Sequence, residues 1–413
     1  MALVRPFRSV CPAPDKAAIV SSLPNDVFSE SEARKITEEN ELSFLKVVRP
    51  ETLFPVGQDP YSETVYSKAS AVLDEWKKSG ILQTQAENAF YVYRLIRNDH
   101  SQTGIVALSS VDDYLNNVCK RHEHTVTIKE NDRTKHIMAC RAQTGPIFLT
   151  YRPVKELKEI CRDAQKNSPL FDFISDDGIS HTVWKISDIS VCSKIISLFG
   201  QVPCTYIADG HHRTAAAVRT AIELRSQNPD YTLDEEYNWF LSVLFPSDEL
   251  EILEYNRIVL NHNGISNNEL LRRIKQSFNV TLLSDACKPV RRGTVHMYTD
   301  HQWYCLAVKD SVMENRKSPV DRLDVSILQD MVLSPILGIN DPRTDSRIQF
   351  VGGIKNLDEI KFMIDSLEDS VAFIMFPTSI DDLMHIADIG GIMPPKSTWF
   401  EPKLRSGLFI HEI

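Results

Sequence analysis

No uninterrupted apolar stretch in this chain approaches the roughly 18 residues that a helix needs to cross a bilayer. The opening residues, Met1-Ala2-Leu3-Val4-Arg5-Pro6, lack the apolar core of a secretion signal, so the cytoplasm is the expected compartment and no membrane partner is expected. There is no long basic run or tail, and a formal net charge of -10 lacks the electrostatic footprint of a nucleic-acid binder. Any anion site must be local. The eight cysteines stand singly without a Cys-x-x-Cys pair, which gives neither a disulfide framework nor a cysteine zinc site and leaves reduced, mostly buried thiols. Low-complexity tracts and repeats of fixed period are also missing. What is present is 413 residues, enough for two or three domains with buried cores.

The local patterns alternate between helix and strand. Ser29-Glu30-Ser31-Glu32 reads as a capping box opening a helix to about residue 40, and residues 43–48 read as a strand closed by Arg49-Pro50. A helix over residues 61–79 carries Val65, Ala69, Val72, Leu73 and Trp76 on one face and stops at Gly80. Residues 89–96 and 104–111 read as two strands of a hairpin. Thr127 and Glu130 stand at capping-box spacing ahead of a helix running to about residue 141, on which Lys129, Arg133 and His136 share a face expected to be solvated. Gly145-Pro146 ends that helix and residues 147–151 form a strand. Residues 154–165 then read as a helix, followed by a hairpin at Asp176-Asp177-Gly178. Residues 239–245 are an interior strand. Farther on, residues 295–299, 303–308, 325–332, 357–365, 371–376 and 380–387 alternate between the two types, with residues 309–321 as a loop.

The most informative stretch is Tyr206-Ile207-Ala208-Asp209-Gly210-His211-His212-Arg213. An apolar run stops at Asp209-Gly210, and the alanine-rich residues 214–224 have the composition of a helix. A strand, a tight turn and a helix N-terminus follow from that order. The first N–H groups of a helix lack intrahelical acceptors and the helix dipole adds positive character, so a phosphate can be held there. Arg213 adds a guanidinium, and His211 and His212 add rotatable donors. Asp209 suits such a place if it orients a hydroxyl or holds Mg²⁺. The plainer alternative is a helix cap with two exposed histidines. Near the end of the chain, Lys396, Ser397, Thr398, Lys403 and Arg405 form a proline-interrupted cationic run able to contact an anion and expected near the Asp209 turn, and Arg49 and Arg94 stand where strand ends would let them reach a site.

Several motifs in a fixed order identify a family. Ser43-Phe44-Leu45-Lys46-Val47-Val48-Arg49-Pro50-Glu51, Lys120-Arg121-His122-Glu123, Gln143-Thr144-Gly145-Pro146-Ile147, Ile207 to Arg213, Phe350-Val351-Gly352-Gly353 and Met393-Pro394-Pro395-Lys396-Ser397-Thr398 together resemble the DUF1015 family from end to end, a family without a settled activity. The middle region is also similar in motif order to free-serine kinases built on the ParB/sulfiredoxin fold. That resemblance implies an α/β (α+β) architecture with a ParB/sulfiredoxin-like nucleotide-binding core over residues 104–246, an insertion at about 155–200, an N-terminal α/β region over 1–103 and a C-terminal one over 247–413. It implies Glu123 of the His122-Glu123 pair as general base, and Gly210, His211, His212, Arg213 and His122 as nucleotide contacts. The insertion and the flanking regions are departures that leave the substrate open.

Residues and resemblance point the same way. Phosphoryl transfer needs charge stabilisation around the moving group and a carboxylate to take the proton of the attacking hydroxyl. The expected function is a phosphotransferase using ATP or ADP with Mg²⁺ on the hydroxyl of a small metabolite, L-serine or O-phosphoserine first, in either direction. Glu123 and Asp209 are the catalytic candidates, with Arg49, Lys396, Ser397 and Arg405 as substrate contacts. The two motifs are then expected at one cleft. Alternatives from other classes are a ParB-like nucleotide-binding switch or scaffold, and a metallohydrolase using His122, His124, Asp209, His211 and His212 as ligands.

Overall fold

A computed structural model describes residues 1–413 and divides them into two compact units. The first takes residues 1–121, 125–250 and 402–413, and the second takes residues 122–124 and 251–401. No helix is long and apolar enough to cross a membrane.

In the first unit the expected helix starts are made by real caps. Helix α1 (Glu30–Glu39) opens on Ser29, whose Oγ accepts the Glu32 N–H at 3.3 Å while its own N–H donates to the Glu32 carboxylate at 2.8 Å. Helix α2 (Glu63–Lys78) buries the expected face, and Gly80, at φ +77°, lets the chain leave it. Residues 43–48 are a correction: Leu45–Val48 is a helical turn, not a strand. Phe44, Leu45, Val47 and Val48 are all buried against Ala69, Val72, Leu73 and Trp76. That spacing is one face of a helix, and a strand would have turned alternate residues away.

The hairpin of β1 (Phe90–Arg97) and β2 (His100–Ser110) forms as expected. Helix α3 (Thr127–Cys140), β3 (Ile147–Tyr151), α4 (Lys155–Ala164), β4 (Phe171–Ile174), β5 (Ser180–Ile186), α5 (Ile189–Phe199), β6 (Thr205–Asp209), α6 (His211–Gln227) and β7 (Trp239–Pro246) follow. They build a mixed nine-stranded sheet in the order Cys119–Lys120, β6, β3, β7, β2, β1, β5, β4, with Val4–Arg5 paired to β2. The central strands are buried nearly throughout, as strands covered on both faces must be. Ala216, Ala217 and Ala221 of α6 pack into the same core as Ile105, Leu149, Ile207 and Leu244. Strands β4 and β5 extend the edge of the sheet opposite β6.

The Thr127–Glu130 capping box does not form. Val126 is the N-cap of α3 and offers no side-chain acceptor, while Thr125 donates to Glu130 at 3.0 Å. Nor is the shared face of α3 solvated throughout: Lys129 is exposed, Arg133 is half-buried and His136 is 2% exposed.

The second unit is an antiparallel six-stranded sheet in the order Phe278–Leu283, Gln302–Val308, Thr294–Thr299, Val371–Ile374, Tyr255–Val259, Ile348–Gly352. Helix Leu357–Asp365 places Ile360 and Ile364 against Tyr298 and Trp303, and both it and helix Ile380–Asp388 start on full capping boxes. The expected loop at residues 309–321 contains a helical turn, Asp310–Glu314.

Candidate functional site

The turn after β6 is shaped by three backbone features in succession. Against β3 the register shifts so that Ile207 faces Leu149 and Asp209 faces Phe148, which makes Ala208 the extra residue of a bulge that re-aims Asp209. Gly210 then takes φ +97°, and a Cβ on it would stand 3.1 Å from the Arg213 guanidinium. The first intrahelical bond of α6 runs from Thr214 N–H to Gly210 O at 2.9 Å, so the N–H groups ahead of it point out of the end of a 17-residue helix.

Arg213 ties this turn to the Gly145-Pro146 turn. Its Nη2 donates to Asp209 Oδ2 at 2.9 Å and its Nη1 to Pro146 O at 2.5 Å. Antiparallel pairing of β6 with β3 puts Pro146, just ahead of β3, beside the end of β6. On its other oxygen Asp209 meets Lys403 Nζ at 3.4 Å. Side-chain exposures of 16% for Arg213, 10% for Lys403 and 30% for Asp209 put the cluster away from full solvent screening.

Lys403 arrives on the returning tail. His411 pairs with Gln143, and Gly407 donates to Thr144 O at 3.2 Å. Gly407 holds φ +85° with Phe44 so close that a Cβ would overlap the ring. Arg405 is the anchor of the tail. Its Nη2 donates to Asp177 Oδ1 at 2.6 Å and Ser175 Oγ at 2.9 Å, and its Nε lies 3.2 Å from His181 Nε2. An arginine Nε only donates, so His181 Nε2 accepts and Nδ1 carries the proton toward Tyr93 OH at 2.7 Å. Burial, reinforced by Arg405 and opposed by Asp177, lowers the His181 pKa to about 3. Burial works to raise the Asp177 carboxyl, but Arg405 and Ser175 more than offset it and hold it below the usual range.

The remaining candidates fall in several places. His212 Nε2 accepts the Val126 N–H at 2.9 Å, so this ring holds the backbone of the α3 N-cap residue. His211 is buried at the first position of α6. Arg49 pairs with Glu51 and donates to the carbonyls of Asn25 at 3.0 Å and Phe28 at 2.9 Å, which makes it a brace for the segment ahead of α1. Arg94 stacks over Trp184, 4.9 Å from the ring centroid. In the second unit, His122 O accepts the Met393 N–H at 2.8 Å. Lys396 stands over the Tyr255 ring at 5.6 Å, and Ser397 Oγ donates to Pro394 O at 2.6 Å within its own turn. The Pro146 carbonyl was no candidate from sequence, although the Gln-Thr-Gly-Pro motif marks its place. Gln143 of the same motif bridges to β7, donating to Trp239 O at 2.9 Å and accepting from Leu241 N–H at 2.7 Å.

A mixed sheet, a bulged strand ending in a glycine turn and a cation-flanked carboxylate at a helix N-terminus define an α/β protein. The chain belongs to the family described as protein of unknown function (DUF1015), which matches residues 4–326. No curated protein matches it. Among solved structures, a free serine kinase mutant in complex with ADP shares 13% identity, with 74% of this chain and 92% of that chain covered and a TM-score of 0.37. A free serine kinase in complex with AMP shares 14% identity over 74% and 91%, with a TM-score of 0.36. SbnI with a C-terminal truncation from Staphylococcus aureus shares 10% over 74% and 86%, with a TM-score of 0.38. Likeness at this level leaves function to be argued from the residues.

Proposed function

We propose that the protein is a nucleotide-dependent phosphotransferase acting on the hydroxyl of a small metabolite, with L-serine or O-phosphoserine as the first candidates and either direction open. The observation that carries this reading is the Asp209–Gly210–Arg213 turn with Lys403 on it. One carboxylate between two cations leaves a surplus positive charge beside outward-pointing N–H groups, an arrangement that suits the phosphates of ATP or ADP. In the forward direction the acceptor O–H bond breaks and its proton passes to Glu123. The oxygen bonds to phosphorus as the bond to the nucleotide's bridging oxygen breaks, and the nucleotide leaves one phosphate shorter.

Asp209 does not fit the role of Mg²⁺ ligand. Its two oxygens face Arg213 and Lys403, and a divalent cation there would meet both positive charges. Orienting the two cations is the role the geometry supports. The test is a nucleotide-turnover assay of the full chain with a panel of small alcohols and hydroxy amino acids. Turnover that requires one of these acceptors supports the reading. Nucleotide binding with no acceptor-dependent turnover would replace it by a switch or scaffold.

A further inference from the structure

Behind Arg213, within the first unit, a small cavity opens between α3, α6 and the Thr144-Gly145 turn. Asn25, Arg133, His136, Thr144, Arg213 and Ser406 line it. Val48, Ile137, Ile147 and Ala217 form its apolar side, and its polar side is rich in hydrogen-bond donors. A guanidinium carries five N–H donors. Arg133 uses three of them, two on Asp132 Oδ2 at 2.9 and 2.7 Å and one on Val48 O at 3.2 Å. Arg213 uses two, on Asp209 and Pro146. Two donors of Arg133 and three of Arg213 remain, and the hydroxyls of Thr144 and Ser406 add rotatable ones.

His136 supplies the opposite function. Its Nε2 lies 2.7 Å from Val47 O, which only accepts, so Nε2 holds the proton and Nδ1 keeps a lone pair. Burial, reinforced by Arg133, lowers its pKa to about 4, so the ring is neutral near pH 7.

Charge balance and size then select the ligand. Asp132 already neutralises Arg133, and Asp209, set between Arg213 and Lys403, leaves a single positive charge in surplus, so a buried phosphate dianion would lack compensating charge. A monoanion that fits the planar fork of a guanidinium does not meet that obstacle. The space holds roughly three water-sized groups, the size of a carboxylate and the carbon that bears it. We propose that this cavity binds the carboxylate end of a small organic acid, with Arg133 and Arg213 donating to its oxygens and Thr144 and Ser406 completing the shell. The proposal stands apart from the phosphotransferase reading, although Arg213 would serve both.

The test uses the full chain and sodium acetate and sodium L-lactate as probes, against sodium chloride and sodium sulfate at equal ionic strength. Thermal shift and calorimetry should show stabilisation by acetate and lactate beyond that of the two salts. Thr144→Val keeps the side-chain shape and Ser406→Ala removes one hydroxyl; combined they should weaken acetate binding at least tenfold with the unliganded melting temperature nearly kept. If the double variant does not fold, the two single variants decide, each expected to weaken acetate severalfold. Equal stabilisation by sulfate, or unchanged acetate affinity in the folded variants, would overturn the proposal. Nucleotide binding measured on the same samples separates the two readings: loss of acetate binding with nucleotide binding kept supports the cavity, and a parent chain that binds acetate but no nucleotide counts against the phosphotransferase alone.

Discussion

Lys403 Nζ stands 3.4 Å from Asp209 Oδ1 across 194 residues of chain, so the last segment of the protein completes the turn that its middle begins. The tail is held by Arg405, two residues on, through Asp177, Ser175 and His181. Binding and anchoring should therefore separate by mutation. Lys403→Met keeps the length of the stem and removes the charge, so nucleotide affinity should fall about tenfold, the size of one charge-assisted contact, with the melting temperature nearly unchanged. Arg405→Ala should cost stability as well, about 2 kcal/mol, because it removes a buried cation from three partners. Denaturant titrations paired with nucleotide titrations check both. Equal stability loss in the two variants would mean that Lys403 is also an anchor.

Gly210 should tolerate no side chain. At φ +97° an alanine is strained by about 1 to 2 kcal/mol, and its Cβ would press on the Arg213 guanidinium at 3.1 Å. Gly210→Ala is thus expected to lower stability and to weaken nucleotide binding together. A variant as stable as the parent would show that the turn relaxes without consequence, contrary to the close packing described.

The readable part of this site is the part built from neighbours in sequence. The apolar run, Asp209-Gly210 and the alanine-rich segment are enough to place a strand, a turn and a helix N-terminus, because each signal is local. Lys403 was readable as part of a cationic run expected near the Asp209 turn, but which cation of the run reaches Asp209 depends on His411 pairing with Gln143 and on the Arg405 anchor, contacts across most of the chain. Local signals also mislead where tertiary contacts replace them. Thr127 and Glu130 have the spacing of a capping box, yet His212 meets the N-cap of α3 from another helix. Val47 and Val48 favour a strand by β-propensity, yet burial at positions 44, 45, 47 and 48 against α2 makes a helical turn the better fit.

Acid should destabilise the first unit before the pH reaches the carboxylate range. Burial lowers the pKa of His136 to about 4, of His181 to about 3 and of His411 to about 4, each from an unfolded value near 6.5. Between those values the unfolded chain binds protons that the folded one does not, so stability rises with pH and is lost progressively as pH falls below about 6.5. Asp113, raised to about 6 by burial, and Glu236, also raised by burial, work in the opposite direction over part of the same window. Three imidazoles against two carboxyls leave a net loss, expected as a fall of roughly 10 °C or more in melting temperature from pH 7 to pH 4.5. His181→Phe, if it folds, should flatten the profile; an unchanged slope would mean that this ring is not held neutral in the folded state.

Catalysis and binding are distinguished by one pair of variants. If Glu123 takes the proton of the acceptor hydroxyl, Glu123→Gln keeps size and most hydrogen bonding but removes basicity, so turnover should fall by roughly a hundredfold or more while nucleotide affinity barely changes. Arg213→Ala removes a cation from the turn and releases both Asp209 and the Pro146 carbonyl, so affinity should fall along with rate, by about 1.5 to 3 kcal/mol in binding. Arg213→Lys keeps the charge but cannot reach both acceptors with a planar fork, and should lie between parent and alanine. Acceptor-dependent turnover and equilibrium nucleotide titration on all three variants give the comparison. Should Glu123→Gln abolish nucleotide binding while Arg213→Ala leaves it untouched, the roles are reversed: Glu123 would be holding an ion or the nucleotide itself, and a metal-centred hydrolase would become the better account of the His122-Glu123 motif.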